Sequence, residues 1–147
     1  MLTVERPILG ITMGDPASIG PEITLKALSD AALYERCRPL VVGDAWVMEN
    51  AKRFPGIPQL AIHAVSRVED ARFAPGTVDV RNLNAIAPPV ELGAVSAAAG
   101  DASFRYVTKV IELAMARQVD ATVTNAINKE AVNLAGHHFA GHTEIYA

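Results

Sequence analysis

The sequence predicts an α/β fold built on a largely parallel sheet. Three observations carry that prediction. Short, uncharged, β-rich runs recur along the chain, helical stretches separate them, and glycine- or asparagine-bearing turns follow the first and last runs directly. Alternating strand and helix signals are the pattern of a parallel sheet with helices packed against it. At 147 residues the chain is long enough to bury a core. Half its residues are hydrophobic and a fifth charged, the composition of a soluble globular protein.

The elements follow in order. Residues 7–13 read as a first strand, apolar on both faces as in a covered parallel sheet. The turn 14–20 comes next, and Pro21 then suits N1 of a helix, with Glu22 in its first turn. Ile23, Ala27, Leu28 and Ala31 mark one apolar face of that helix to about Leu33. A strand, a glycine loop and a helix N-terminus can present free N–H groups to an anion. A tight strand-to-helix turn with no ligand is the alternative. The loop is neither a Rossmann GxGxxG nor a P-loop. Residues 38–43 form a second strand, and Asp44 caps a helix through Phe54 that carries Trp46 and Val47, with Trp46 read as a packing residue. Residues 55–58 (PGIP) break that helix. Residues 60–65 are a third strand, with His63 read as a satisfied histidine. Pro75-Gly76 is a turn, and residues 77–83 alternate like a half-exposed strand. Pro88-Pro89 is a break within the domain. Residues 93–118 are the longest helical stretch, with Val107, Val110, Ile111 and Ala114 as core stripe. Asp101, Arg105, Thr108, Lys109 and Glu112 form the opposite, solvated stripe, and Asp101 and Arg105 are spaced as an i, i+4 pair. The small residues 96–99 admit a close backbone or a partner subunit.

The last stretch, residues 120–146, organises the rest. It opens as a buried strand over 121–124 and turns at 125–128. It continues as a helix with Asn128 as N-cap, Lys129 early and Glu130 in the first turn, closed by Gly136 at C′. A polar cluster, Gly141-His142-Thr143-Glu144, follows. Polar groups on the loop after a strand are where ligands bind in open α/β sheets.

Charge and composition exclude other classes. The net charge of −3 gives no electrostatic case for nucleic acid or an anionic membrane. No apolar run approaches the roughly 20 residues of a membrane span. Residues 1–7 contain Glu5 and Arg6 and no apolar core, unlike a signal peptide. The single cysteine, Cys37, excludes an internal disulfide, fits a reducing cytoplasm, and reads as a structural thiol rather than a nucleophile.

Three ordered motifs carry a resemblance that runs from Ile11 to Ala147. TNAINKEA at 124–131, with Gly136 and GHTE at 141–144, resembles the 4-hydroxythreonine-4-phosphate dehydrogenase family and its relatives acting on four-carbon sugar-acid phosphates. GDPASIGPE at 14–22 and GAVSAAAG at 93–100 resemble the same family. The 14–22 segment is also similar to the opening of the isocitrate and isopropylmalate dehydrogenases, which implies their fold. Ser18 stands where the family usually has glycine, and Asn125-Ala126 replace its usual Ala-Pro.

The resemblance implies that His142 and Thr143 contact substrate and that Gly14 and Asp15 lie on a loop lining the cleft. An imidazole and a hydroxyl can bond phosphate or hydroxy-acid oxygens without a buried charge. Lys129 is the one cation at the strand-to-helix turn and ranks below His142 as a substrate ligand. His138 and His142 are four apart, but Gly136 and Gly141 deprive that spacing of a helical meaning, so His137 and His138 read as loop or surface residues. No catalytic residue is assigned.

The implied activity is an NAD- or NADP-dependent, divalent-metal-dependent oxidation (Zn, Mg, Mn or Co) of a phosphorylated hydroxy acid such as 4-phosphohydroxy-L-threonine. A C3 alcohol becomes a ketone and the β-keto acid loses CO2, with the metal as Lewis acid and the cofactor accepting hydride. The implied partners are that small substrate and a second copy in a cytoplasmic homodimer. The family's metal histidines and basic phosphate ligands come later than its GHTE motif. The expectation is therefore an N-terminal α/β portion of a dehydrogenase, inactive by itself, with metal ligands beyond residue 147. A truncated, non-catalytic module that binds a small phosphorylated ligand or a full-length partner is the alternative. Acyl-phosphate chemistry of the phosphate acetyltransferase type is a third reading, which GHTE and INKEA speak against.

Overall fold

Five strands, all parallel, form one sheet in a computed structural model that describes residues 5–147. The signal-peptide reading of residues 1–7 lies largely outside the described residues. The strands are β1 (Ile8–Thr12), β2 (Arg38–Gly43), β3 (Ala61–Val65), β4 (Thr77–Asn82) and β5 (Ala121–Val123), in spatial order β3-β4-β2-β1-β5. Helices α1 (Gly20–Leu28), α2 (Leu33–Arg36) and α3 (Ala45–Ala51) come before β3. Helix α4 (Ala97–Met115) joins β4 to β5, and α5 (Lys129–Leu134) and α6 (His142–Tyr146) complete the chain. The α1 and α3 crossovers run one way across the sheet and α4 runs back the other way. Right-handed connections therefore put α1 and α3 on one face and α4 on the other. Helix α3 packs over β3 and β4, while α4 packs over β1, β2 and β5.

β1 is paired on both sides and covered by α4, which explains its uniformly apolar sequence. A Cβ on Gly10 would stand 2.7 Å from Val110 Cγ2, so glycine lets α4 sit down on the strand. The core centres on Leu40, Val41, Val42, Val78 and Val80 of the sheet, closed by Met13, Leu25, Tyr106 and Val110, all 0% exposed.

Several expectations change in three dimensions. The segment 121–124 is an open edge strand, because β5 pairs only with β1, and Val123 is 45% exposed. Helix α1 ends at Leu28: the Ser29 hydroxyl donates to Lys26 O, and the Asp30 carboxylate accepts from Ala32 N–H, local bonds that compete with further helix. Its buried face is Pro21, Thr24, Leu25 and Leu28, while Ile23 is exposed. Helix α3 ends at Ala51, short of Phe54. Asp44 does not cap it. Its carboxylate accepts from Ala85 and Ile86 N–H at 2.9 Å each, and Asn82 Oδ1 takes the Ala45 N–H instead. β4 is an interior strand with Val78, Asp79 and Val80 all buried, and Asp79 is bonded by His63 Nδ1 at 2.7 Å and by the Arg72 and Phe73 N–H groups. The α4 stripe is rotated, so Tyr106 and Leu113 are buried and Ile111 and Ala114 only partly so. Strands β1 to β4, the role of Trp46 (Nε1–H to Ile86 O, 2.9 Å) and the satisfied His63 follow the sequence reading. Among the described residues no helix is long and apolar enough to cross a membrane.

Candidate active site

The C-terminal ends of β1 and β5 lie side by side, and the turns that leave them interlock. Asn125, two residues past the end of β5, is the joint. Its N–H donates to Thr12 Oγ1 at 3.1 Å, and its side-chain amide donates to Thr12 O at 2.9 Å and to Thr24 Oγ1 at 2.7 Å. The Thr24 hydroxyl passes its own proton to Gly20 O at 2.8 Å. One residue thus ties β1, α1 and the β5–α5 turn together. The glycines of the first loop make the approach possible. A Cβ on Gly14 would stand 2.7 Å from Ala126 O, and one on Gly20 2.1 Å from Met13 O. Gly14 also has φ +80, in the left-handed region that glycine enters without strain.

Asp15 follows Gly14 and is buried, 2% exposed. Its N–H donates to Ala126 O at 3.0 Å, its carboxylate accepts from Ala17 N–H at 2.7 Å, and its carbonyl accepts from Ser18 N–H. Burial pushes its pKa up, against the Ala17 hydrogen bond, which pulls it down. The loop N–H groups of Ala17 and Ser18 are therefore taken up by the loop's own aspartate, which favours the tight-turn reading of this segment over an anion cradle.

The other side of the β5–α5 turn opens on a cleft of about 580 Å³. Ala126, Lys129, Gly141, His142, Thr143 and Glu144 are among the residues lining it. Two devices place them. Asn128 caps α5, its side chain accepting from Ala131 N–H at 3.0 Å, so Lys129 leaves the first turn towards the cleft. Gly136, at φ +90, then ends α5, with its own N–H bonded to Asn133 O and that of His137 to Val132 O, a Schellman closure. The reversal brings Gly141 back over Lys129: a Cβ there would lie 3.5 Å from Lys129 Cε and 3.8 Å from Nζ. The Glu144 carboxylate accepts from Ala140 N–H at 2.9 Å, holding the start of α6. Among the described residues Lys129 has no carboxylate within ion-pair reach.

His142 Nε2 is buried and has no hydrogen-bond partner. Burial pushes the ring's pKa below that of an ordinary histidine, and the Asn125 backbone beside it opposes the shift. The ring is therefore neutral at pH 7. Lys129, His142 and Thr143 meet in one cleft. Gly14 and Asp15 do not line it; Asp15 N–H is bonded to Ala126 O and Gly14 lies against the same carbonyl, so they back the wall that Ala126 forms. His137 is engaged elsewhere: its ring stacks on Phe104 with centroids 3.8 Å apart, and Nε2 lies 2.9 Å from Asp101 Oδ1. That pairing replaces the expected Asp101–Arg105 pair. His138 is exposed. Among the described residues no three His, Cys, Asp or Glu side chains come together to hold a metal ion. Those residues do not by themselves fit a metal ion.

Sequence reasoning missed two polar features beneath the site. One is the Asn125 clamp, signalled only by a polar residue shortly after a strand. The other is a buried pair, Asp44 and Tyr106. The Tyr106 hydroxyl is buried beside the Asp44 carboxylate, whose two oxygens also accept from Ala85 and Ile86 N–H. Burial first and the neighbouring Asp44 second push its pKa far up.

Comparison with known proteins converges on one group. The family model described as pyridoxal phosphate biosynthetic protein PdxA matches residues 35–147. A D-threonate 4-phosphate dehydrogenase of Cupriavidus necator is 44% identical over 141 residues, which cover 96% of this chain and 42% of that protein. The crystal structure of a 4-hydroxythreonine-4-phosphate dehydrogenase from Burkholderia phymatum matches with TM-score 0.93 and 40% identity, over 97% of this chain and 43% of the other. A terephthalate 1,2-cis-dihydrodiol dehydrogenase from Burkholderia xenovorans shares the fold less closely, with TM-score 0.68 and 30% identity over 92% of this chain and 38% of the other. The chain thus spans less than half the length of these relatives.

Proposed function

Because this chain belongs to the PdxA family of pyridoxal phosphate biosynthetic proteins, we propose that it holds the substrate of a dehydrogenase acting on a phosphorylated four-carbon hydroxy acid. The observation that carries the reading is the convergence of Lys129, His142 and Thr143 on one cleft at the C-terminal end of the sheet. Lys129 supplies a positive charge that no carboxylate among the described residues pairs with, suited to a phosphate or carboxylate. Burial favours the neutral form of the His142 ring, so it can bond a hydroxyl or phosphate oxygen without bringing a second charge into the cleft. Thr143 adds a hydroxyl that can donate or accept. Gly14 and Asp15 form the loop behind them.

In the proposed whole enzyme the chain is the N-terminal α/β unit of a homodimer that uses NAD or NADP and a divalent metal to oxidise and decarboxylate the substrate. The family assignment and the relatives' names support this reading. D-Threonate 4-phosphate and 4-phosphohydroxy-L-threonine are the leading substrates, since relatives at 40–44% identity carry those activities in their names. A second reading is a non-catalytic module that binds a phosphorylated ligand.

Isothermal titration of the chain with D-threonate 4-phosphate tests the binding claim common to both readings. Saturable one-site binding is expected, weakened about ten-fold or more in Lys129→Gln, as for a lost charge-assisted hydrogen bond. Binding unchanged in both Lys129→Gln and Thr143→Val would refute it. NADH formation from that substrate by the 147-residue chain would discard the second reading.

A further inference from the structure

Asn125 and Ala126 open the turn between β5 and α5, and hydrogen bonds fix that turn. The Asn125 amide spans Thr12 O and Thr24 Oγ1 at 2.9 and 2.7 Å, while the Asn125 N–H takes Thr12 Oγ1. Asp15 N–H holds Ala126 O from the other side. Everything in the cleft hangs from this turn. Lys129 begins the helix that follows it, His142 packs against the Asn125 backbone, and Ala126 lines the cleft itself. We infer that Asn125 is a positioning residue, whose side-chain clamp on Thr12 and Thr24 holds the β5–α5 turn and so sets the placement of Lys129 and His142 for an anionic ligand. The inference rests on the proposed substrate cleft.

The clamp predicts its own rescue. The Ala126 N–H donates no hydrogen bond among the described residues, so a proline there removes none. Asn125→Ala breaks the clamp. The double variant Asn125→Ala/Ala126→Pro restores stiffness by a different route, since proline fixes φ. Thr24→Val removes one acceptor at constant shape. Val68→Ala, in the core far from the cleft, controls for stability alone.

Two quantities are read on each variant of the 147-residue chain: the dissociation constant for D-threonate 4-phosphate and the pH titration of the His142 ring by NMR. Lys129 and Glu144 are the charged side chains lining the cleft and are the same in every variant. Asn125→Ala is expected to weaken binding about five-fold or more, as for a displaced ligand-holding group, and to move the His142 titration towards ordinary histidine as the ring gains solvent. Thr24→Val moves both the same way by less, Val68→Ala moves neither, and the double variant recovers both. The inference is overturned if Asn125→Ala leaves both quantities unchanged, if Val68→Ala shifts them equally, or if proline fails to restore them. Should the wild-type chain bind no ligand, the proposed function fails, and the His142 titration then decides the role of Asn125 alone.

Discussion

Asp101 Oδ1 lies 2.9 Å from His137 Nε2, and this contact fastens the chain after α5 to helix α4. The same imidazole stacks on Phe104 one turn further along α4, with an interplanar angle of 11°. Everything from Gly141 to Tyr146 follows this anchor, including two of the three cleft residues.

Removing the anchor should therefore loosen the cleft before it unfolds the sheet. His137→Ala is expected to cost about 1 kcal/mol, mostly the aromatic stack, because the polar contact with Asp101 is part-exposed. Hydrogen exchange is the check: amides 140–146 should exchange faster while those of β1 and β2 stay protected. Uniform acceleration would mean that the anchor serves global stability only.

Asp44 is the buried residue whose loss should cost most near the sheet's C-terminal end. Asp44→Ala leaves the Ala85 and Ile86 N–H groups without acceptors. A loss on the order of 3 kcal/mol is expected from bonds to a charged acceptor. Urea unfolding would show this as a lower midpoint at unchanged slope.

Gly100 marks where α5 crosses α4. A Cβ there would stand 1.9 Å from Ala131 O, a backbone atom that cannot move alone. Gly100→Ala should destabilise the chain by about 2 kcal/mol, despite alanine's better helix propensity. Thermal unfolding that rises or holds steady would show that the helices part at no cost.

These features divide cleanly by what a sequence can reveal. The parallel strands and the order of elements were legible because uncharged β-rich runs and helical periodicity are local signals. The Asn128 cap and the Gly136 terminator were legible for the same reason. His142 and Thr143 were legible through motif resemblance and Lys129 as the one cation at the strand-to-helix turn, and the three line one cleft. What escaped depends on pairing across the fold. Residues 121–124 look like a covered strand, and only the sheet order makes β5 an edge. Asp79 looks like the polar position of an alternating strand until His63, Arg72 and Phe73 close on it. Asp44 has the look of a helix cap, yet its partners lie forty residues on. The true face of α1 is set by α3 and by Asn125, not by its own count of apolar residues.

The pH behaviour of His142 follows from its burial. Its pKa in the folded chain is lowered from 6.5, so the folded state binds fewer protons than the unfolded state as pH falls through that value. Its contribution to stability is therefore fully present above pH 6.5 and is lost on acidification towards the lowered pKa. Unfolding free energies measured from pH 7.5 to 5, in the wild type and in His142→Gln, should fall less steeply in the variant. Identical slopes would place the ring in solvent.

The central claim is that one cleft, defined by Lys129, His142 and Thr143, receives a phosphorylated hydroxy acid. The most direct measurement is a chemical-shift map of the 15N-labelled chain titrated with D-threonate 4-phosphate and, separately, with D-threonate. Saturable shifts centred on Lys129 and residues 141–144, much weaker without the phosphate, are the predicted result. Shifts centred elsewhere, or the same map with both ligands, would contradict the assignment of this cleft to a phosphorylated substrate.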